Sequence, residues 1–155
     1  ALIALVPDRG DYYLHRGRAR LEQPGRESDA RADFDQALKL NSKLVLALYA
    51  RAEALRRLVL IDLALADLNR ALELAPDDAA YLFARGKLYF EKRDFVSAER
   101  DFGKAFPKYP NDRNLVWYAA RTLARIGRYE MAFNLFDRLL DAFPGDVAML
   151  RETAW

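Results

Sequence analysis

AAYLFARGKLYFEKRDFVSAERDFGKAFPKYPND, residues 79–112, is one turn of a pattern that the rest of the chain repeats. Leu82, Gly86 and Tyr89 recur at helical spacing, and Ala98, Phe102 and Ala105 do so again. The spacing predicts two amphipathic helices of about 13 residues each. They cover roughly 79–92 and 95–106, with a turn at Arg93-Asp94. Gly86 is expected to face Ala98 and bring the two backbones to about 8 Å, with Phe102 and Tyr89 filling the space around that contact. Gly103 and Pro107 predict an early end or a bend in the second helix. Pro110 cannot continue a helix, and Asn111-Asp112 offers an N-cap to the next one.

Outward from this stretch the same residue types return every 34 positions: Ala30, Ala64, Ala98, Ala132, then Phe34, Leu68, Phe102, Phe136. Ala37, Ala71, Ala105 and Leu139 follow, and Ser42, Pro76, Pro110 and Pro144 close each repeat. A period of this length marks stacked repeats, each burying its apolar face against its neighbours. The expected organisation is a single array: 1–9 the tail of a truncated repeat, then repeats at 10–43, 44–78, 79–112 and 113–146. Residues 147–155 read as the start of a further repeat or a capping helix, so the chain is expected to be a piece of a longer array.

Composition fits a packed helical array, with 52% hydrophobic and 31% charged residues among 155. A formal charge of +2 does not by itself argue for nucleic acid. The absence of cysteine excludes disulfides and cysteine-bound zinc, and suits a cytoplasm or a bacterial periplasm equally. Leu58 to Ala66, the longest apolar stretch, is broken by Asp62 and is too short to span a bilayer, so no membrane insertion is expected. The opening residues 1–6 lack a basic leader.

Chemistry-bearing groups are sparse. His15 is the sole histidine and is expected to be solvated or to line a groove, with no nucleophile placed beside it. There is no metal-ligand spacing and no glycine-rich phosphate loop, so no catalytic residue, cofactor or metal is assigned. Asp33, Asp35, Asp67, Glu73, Glu99 and Asp101 alternate with Arg70, Arg100 and Lys104 on second helices, which reads as a solvated outer face.

The repeat resembles the tetratricopeptide repeat (TPR) pattern of a large residue, a small residue, Tyr, then Ala-x-x-x-Phe and Pro. It is carried by Tyr13, Gly17, Ala30 and Phe34, then Leu48, Ala52, Leu55, Ala64 and Pro76. Leu82, Gly86, Tyr89, Ala98 and Pro110 carry it next, and finally Val116, Ala120, Leu123, Ala132 and Pro144. The resemblance implies an all-α, right-handed α-solenoid of stacked antiparallel helix pairs. Two departures stand out. The first repeat has an extra residue and a longer turn, Glu22 to Arg26; the second has Val59 where the fourth has Gly127. A β-branched residue is a poor helix stop, so either packing holds that turn, or Leu46 to Leu74 forms one helix and permits a homodimer swapped at 58–63.

The resemblance further implies that first helices line a concave surface. On that projection Leu14, Tyr49, Phe83 and Trp117 point into the groove. Arg18, Glu53, Lys87 and Arg121 follow one turn on, then Leu21, Arg56, Phe90 and Ala124, with Tyr118, Arg57 and Arg125 flanking the stripe. From Arg113 to Arg128 there are four arginines and no acidic residue. Aromatic and arginine side chains dominate binding hot spots, so the expected role is a non-catalytic protein-protein interaction scaffold for a partner with apolar and acidic residues. The alternatives are an architectural, self-associating segment with an idle groove, or a binder of an anionic polymer such as nucleic acid or an acidic polysaccharide. The two-carboxylate clamp of chaperone-binding TPR adaptors is missing: Leu14, Arg18, Ala50, Ala80 and Ala84 occupy its positions, or Tyr49, Glu53, Ala84, Asn114 and Tyr118 one repeat later.

Overall fold

The computed structural model describes residues 10–144, so the expectations for 1–9 and 147–155 lie outside the described residues. Among the described residues eight helices run in order: α1 Gly10–Leu21, α2 Glu27–Leu40, α3 Val45–Arg57, α4 Ile61–Leu74, α5 Ala79–Glu91, α6 Phe95–Ala105, α7 Arg113–Arg125 and α8 Tyr129–Ala142. Among the described residues there is no strand. Two compact units meet between Tyr81 and Leu82, inside α5. In the first, α1 packs on α2, α2 on α3 and α3 on α4. In the second, α6 packs on α7 and α7 on α8. Helices of 11 to 14 residues are marginal alone in water. Phe34, Leu48, Leu68, Phe102 and Leu115, all under 2% exposed, show where their stability comes from.

The turns explain the antiparallel pairing. Gly25, Val59, Arg93 and Gly127 all have positive φ, at 78°, 60°, 63° and 80°, and stand 34 residues apart. After α3, α5 and α7 the residue following the left-handed position donates back five residues: Leu60 to Leu55, Asp94 to Tyr89, Arg128 to Leu123, at 2.8–2.9 Å. These bonds satisfy the last helical carbonyls and reverse the chain. Val59 therefore takes the strained conformation itself, and residues 46–74 form two helices rather than one. The first turn is longer, five residues against three in its counterparts. α6 has 11 residues where α2, α4 and α8 have 14, the early end expected before Pro107.

A Cβ on Gly86 would meet the Phe102 ring at 2.5 Å, so Gly86 makes room for Phe102; Gly17 does the same for Phe34. The outer face needs correction. Asp33, Asp67 and Asp101 are 3%, 6% and 1% exposed, not solvated. Each is held by an arginine from the preceding helix: Arg16, Arg51 and Arg85. Arg85 Nε and Nη2 donate to Asp101 at 2.7 and 2.8 Å, and Arg51 grips Asp67 at 2.7 and 2.6 Å in the same forked manner. Hydrogen bonding to Asp101 raises the Arg85 pKa above its ordinary value.

Candidate partner-binding surface

In the second unit, α7 is fixed before any of its exposed side chains is considered. Asp112 caps it, accepting from the Leu115 N–H at 2.8 Å. Leu115, Val116, Ala119, Ala120 and Leu123 form its buried stripe, and buried Thr122 donates to the Tyr118 carbonyl at 2.7 Å. That leaves Trp117, Tyr118 and Arg121 partly buried on another face, with Arg125 exposed one turn on. On α5, Phe83, Lys87 and Phe90 are spaced by four and three residues and also share a face.

These six side chains meet in one cluster. The Tyr118 ring lies 4.9 Å from Trp117, 5.4 Å from Phe90 and 6.0 Å from Phe83, each in an edge-on arrangement. That geometry matches the quadrupoles of aromatic rings. The Arg121 guanidinium sits 4.4 Å from the centre of the Trp117 ring and 5.4 Å from that of Phe90. Lys87 Nζ lies 5.1 Å over Phe83. The ring faces attract both cations electrostatically, and the rings supply apolar area. Phe102 supports the cluster from α6, 5.9 Å from both Phe83 and Tyr118. Its role could be read from its place in the ladder, but not its contact with the groove residues. Trp117 Nε1 is buried and has no acceptor among the described residues.

The first unit differs. Tyr49, 37% exposed, pairs with Tyr81 at 5.3 Å, a partner that nothing in the repeat pattern announced. Burial, then the charge of Glu53, raises the Tyr49 phenol above its ordinary pKa. Arg56 donates twice to Glu53 at 2.9 Å, and Arg57 donates to the same carboxylate at 3.0 Å and to the Leu21 carbonyl at 2.7 Å. Two cations of the basic stripe expected there thus share one carboxylate, which offsets part of their charge. Arg18 is exposed, as is His15. Leu14 is not at a groove: it is 3% exposed, because it shares the buried stripe of α1 with Gly17 and Leu21 at i, i+3 and i+7. Among the described residues no helix is long and apolar enough to cross a membrane.

A family model described as tetratricopeptide repeat matches residues 25–79, 49–113 and 83–147. Human peptidyl-prolyl cis-trans isomerase FKBP4 is 29% identical over 88% of this chain, and the match spans 32% of that protein's length. A tetratricopeptide repeat protein from Parabacteroides merdae superposes with a TM-score of 0.79 at 24% identity, covering 90% of this chain and 54% of that one. MamA from Desulfovibrio magneticus RS-1 superposes at 0.77 with 20% identity, covering 96% and 79%. These likenesses are to the all-helical fold of antiparallel pairs.

Proposed function

The chain belongs to the tetratricopeptide repeat family, a family of protein-interaction scaffolds, and we propose that it binds a protein segment through the first-helix surface of its second unit. The cluster of Phe83, Lys87, Phe90, Trp117, Tyr118 and Arg121 carries this reading. It joins apolar area to the Arg121 guanidinium, and α7, which carries that arginine, has no acidic residue. The matching ligand is a peptide segment with aromatic or branched apolar anchors beside Asp or Glu. Catalysis has no place in this reading, and no cofactor is invoked. An anionic polymer fits less well, since Arg56 and Arg57 are already engaged by Glu53.

Selection from a random peptide display library tests the proposal. The chain should enrich peptides with apolar anchors flanked by acidic residues, and the Trp117→Ala, Arg121→Ala double variant should lose them. Binding should weaken only modestly between low and high salt, because the anchors are apolar. Equal enrichment by both proteins would overturn the assignment. A steep loss with salt and no sequence preference would instead indicate polymer binding through several phosphates.

A further inference from the structure

The ion pairs of the first three helix pairs have a counterpart in the fourth that is not ionic. In the first unit, Arg51 of α3 reaches two carboxylates: Asp67 on α4, and Asp35 on α2, which accepts from Nη1 at 2.7 Å. The three equivalent positions, 68 residues later, hold Gly103 on α6, Ala119 on α7 and Leu135 on α8. All three charges disappear together, and the bulk of the arginine side chain goes with them.

What remains is a cavity of about 360 Å³ lined by all three replaced positions, with Phe102, Leu123 and Met131 extending the apolar wall. A Cβ on Gly103 would touch nothing within 4 Å, so the space reaches the helix backbone itself. The volume falls within the range of about 300–1,000 Å³ typical of small-molecule sites. Its lining runs from Glu99 on α6 to Phe106, the residue that caps that helix, a length of about 10 Å. The polar members, Glu99 and Asn134, do not make it a water site: Glu99 is engaged by Arg128 at 3.2 Å. Among the described residues, the buried side-chain polar atom without a partner is Trp117 Nε1, which is not part of this lining. The site is open to solvent along Gly103, Met131 and Asn134, and seating a hydrocarbon chain against its apolar wall removes apolar surface from water.

A cation stands beside one end of the cavity, just outside its lining. Phe106, part of the lining, lies under the Arg138 guanidinium at 5.5 Å. Arg138 Nη2 donates only to neutral acceptors among the described residues, the Pro110 carbonyl at 3.0 Å and Asn111 Oδ1 at 3.4 Å. A carboxylate there would gain a charge-assisted pair. We propose that the cavity between α6 and α8 is a binding site for a medium-chain aliphatic carboxylate, its chain in the space vacated by the ionic triad and its head group at Arg138. The site stands apart from the Trp117 surface and does not depend on the reading of that surface.

Decanoate is a suitable probe, followed by methyl NMR of the whole chain. Saturable shifts confined to Met131, Leu123 and Leu135 are expected. Gly103→Leu fills the cavity while placing a better helix former in α6, so this variant should fold and yet bind at least about tenfold more weakly. Arg138→Gln should weaken decanoate several-fold but leave neutral decanol unchanged. Non-saturable shifts, wild-type binding by a folded Gly103→Leu, or no difference between decanoate and decanol on Arg138→Gln would each overturn the proposal.

Discussion

Arg85→Ala should destabilise the second unit severely, and adding Asp101→Leu should restore most of the loss. The single change removes two hydrogen bonds, 2.7 and 2.8 Å long, from a carboxylate whose side chain is 2% exposed. Hydrogen bonds to charged groups contribute about 1.5–3 kcal/mol each, and breaking a buried ion pair from one side costs about 3–5 kcal/mol. Arg85 itself is 21% exposed, so water can reach part of the gap, and about 3 kcal/mol is the appropriate end of that range. The double variant copies what α7 and α8 already contain, Ala119 and Leu135 at the equivalent positions. With no buried charge left, it should recover to within about 1 kcal/mol of the parent, a gain of about 2 kcal/mol over the single variant. Urea unfolding by far-ultraviolet circular dichroism measures all three proteins, with equal slopes required for the comparison. A double variant as unstable as the single one would show that the pair is not the unit that matters.

Val59→Gly should stabilise the first unit by about 0.5–1 kcal/mol, because relief of left-handed strain of about 1–2 kcal/mol exceeds the backbone-entropy penalty of glycine. Val59 is 78% exposed, so little packing is lost; the same change removes a reason for the hairpin to open into a swapped dimer, and a lower urea midpoint would contradict this account. Asp94→Ala should cost about 1 kcal/mol at neutral pH through loss of the α6 N-cap, where the carboxylate accepts from Ser97 N–H at 3.1 Å. The Ser97 side chain first, and then its backbone N–H, holds the Asp94 carboxyl below its ordinary pKa. A depressed pKa means stability that is present above the unfolded value and lost as pH falls through the folded one, so the gap between variant and parent should close in acid. A gap that stays constant down to that acid range would exclude the ionised cap.

Much of the fold is legible in the 34-residue ladder, because buried small and aromatic residues must return at each helix crossing. Helix ends came within a residue or two in the third repeat for the same reason: proline, aspartate and the turn residues act locally. The buried aspartates were not legible as such. Asp33, Asp67 and Asp101 look like surface charges in sequence, and their burial depends on an arginine 16 or 17 residues earlier, across a turn. The engagement of Arg56 and Arg57 by Glu53 is legible from i, i+3 and i+4 spacing. Leu14 was misplaced because projection from a family frame ignored its own helix, where Gly17 and Leu21 define the buried stripe. The cavity beside Ala119 became visible only after the ionic triad of Arg51 gave those three positions a meaning.

The most direct measurement is calorimetric titration of a library-selected peptide against the parent chain and Trp117→Ala. Loss of a typical hot-spot side chain, about 2 kcal/mol, corresponds to a dissociation constant about 30-fold weaker, measured where circular dichroism shows both proteins folded. An identical dissociation constant for the two proteins would show that the aromatic cluster on α5 and α7 packs the fold and recognises nothing.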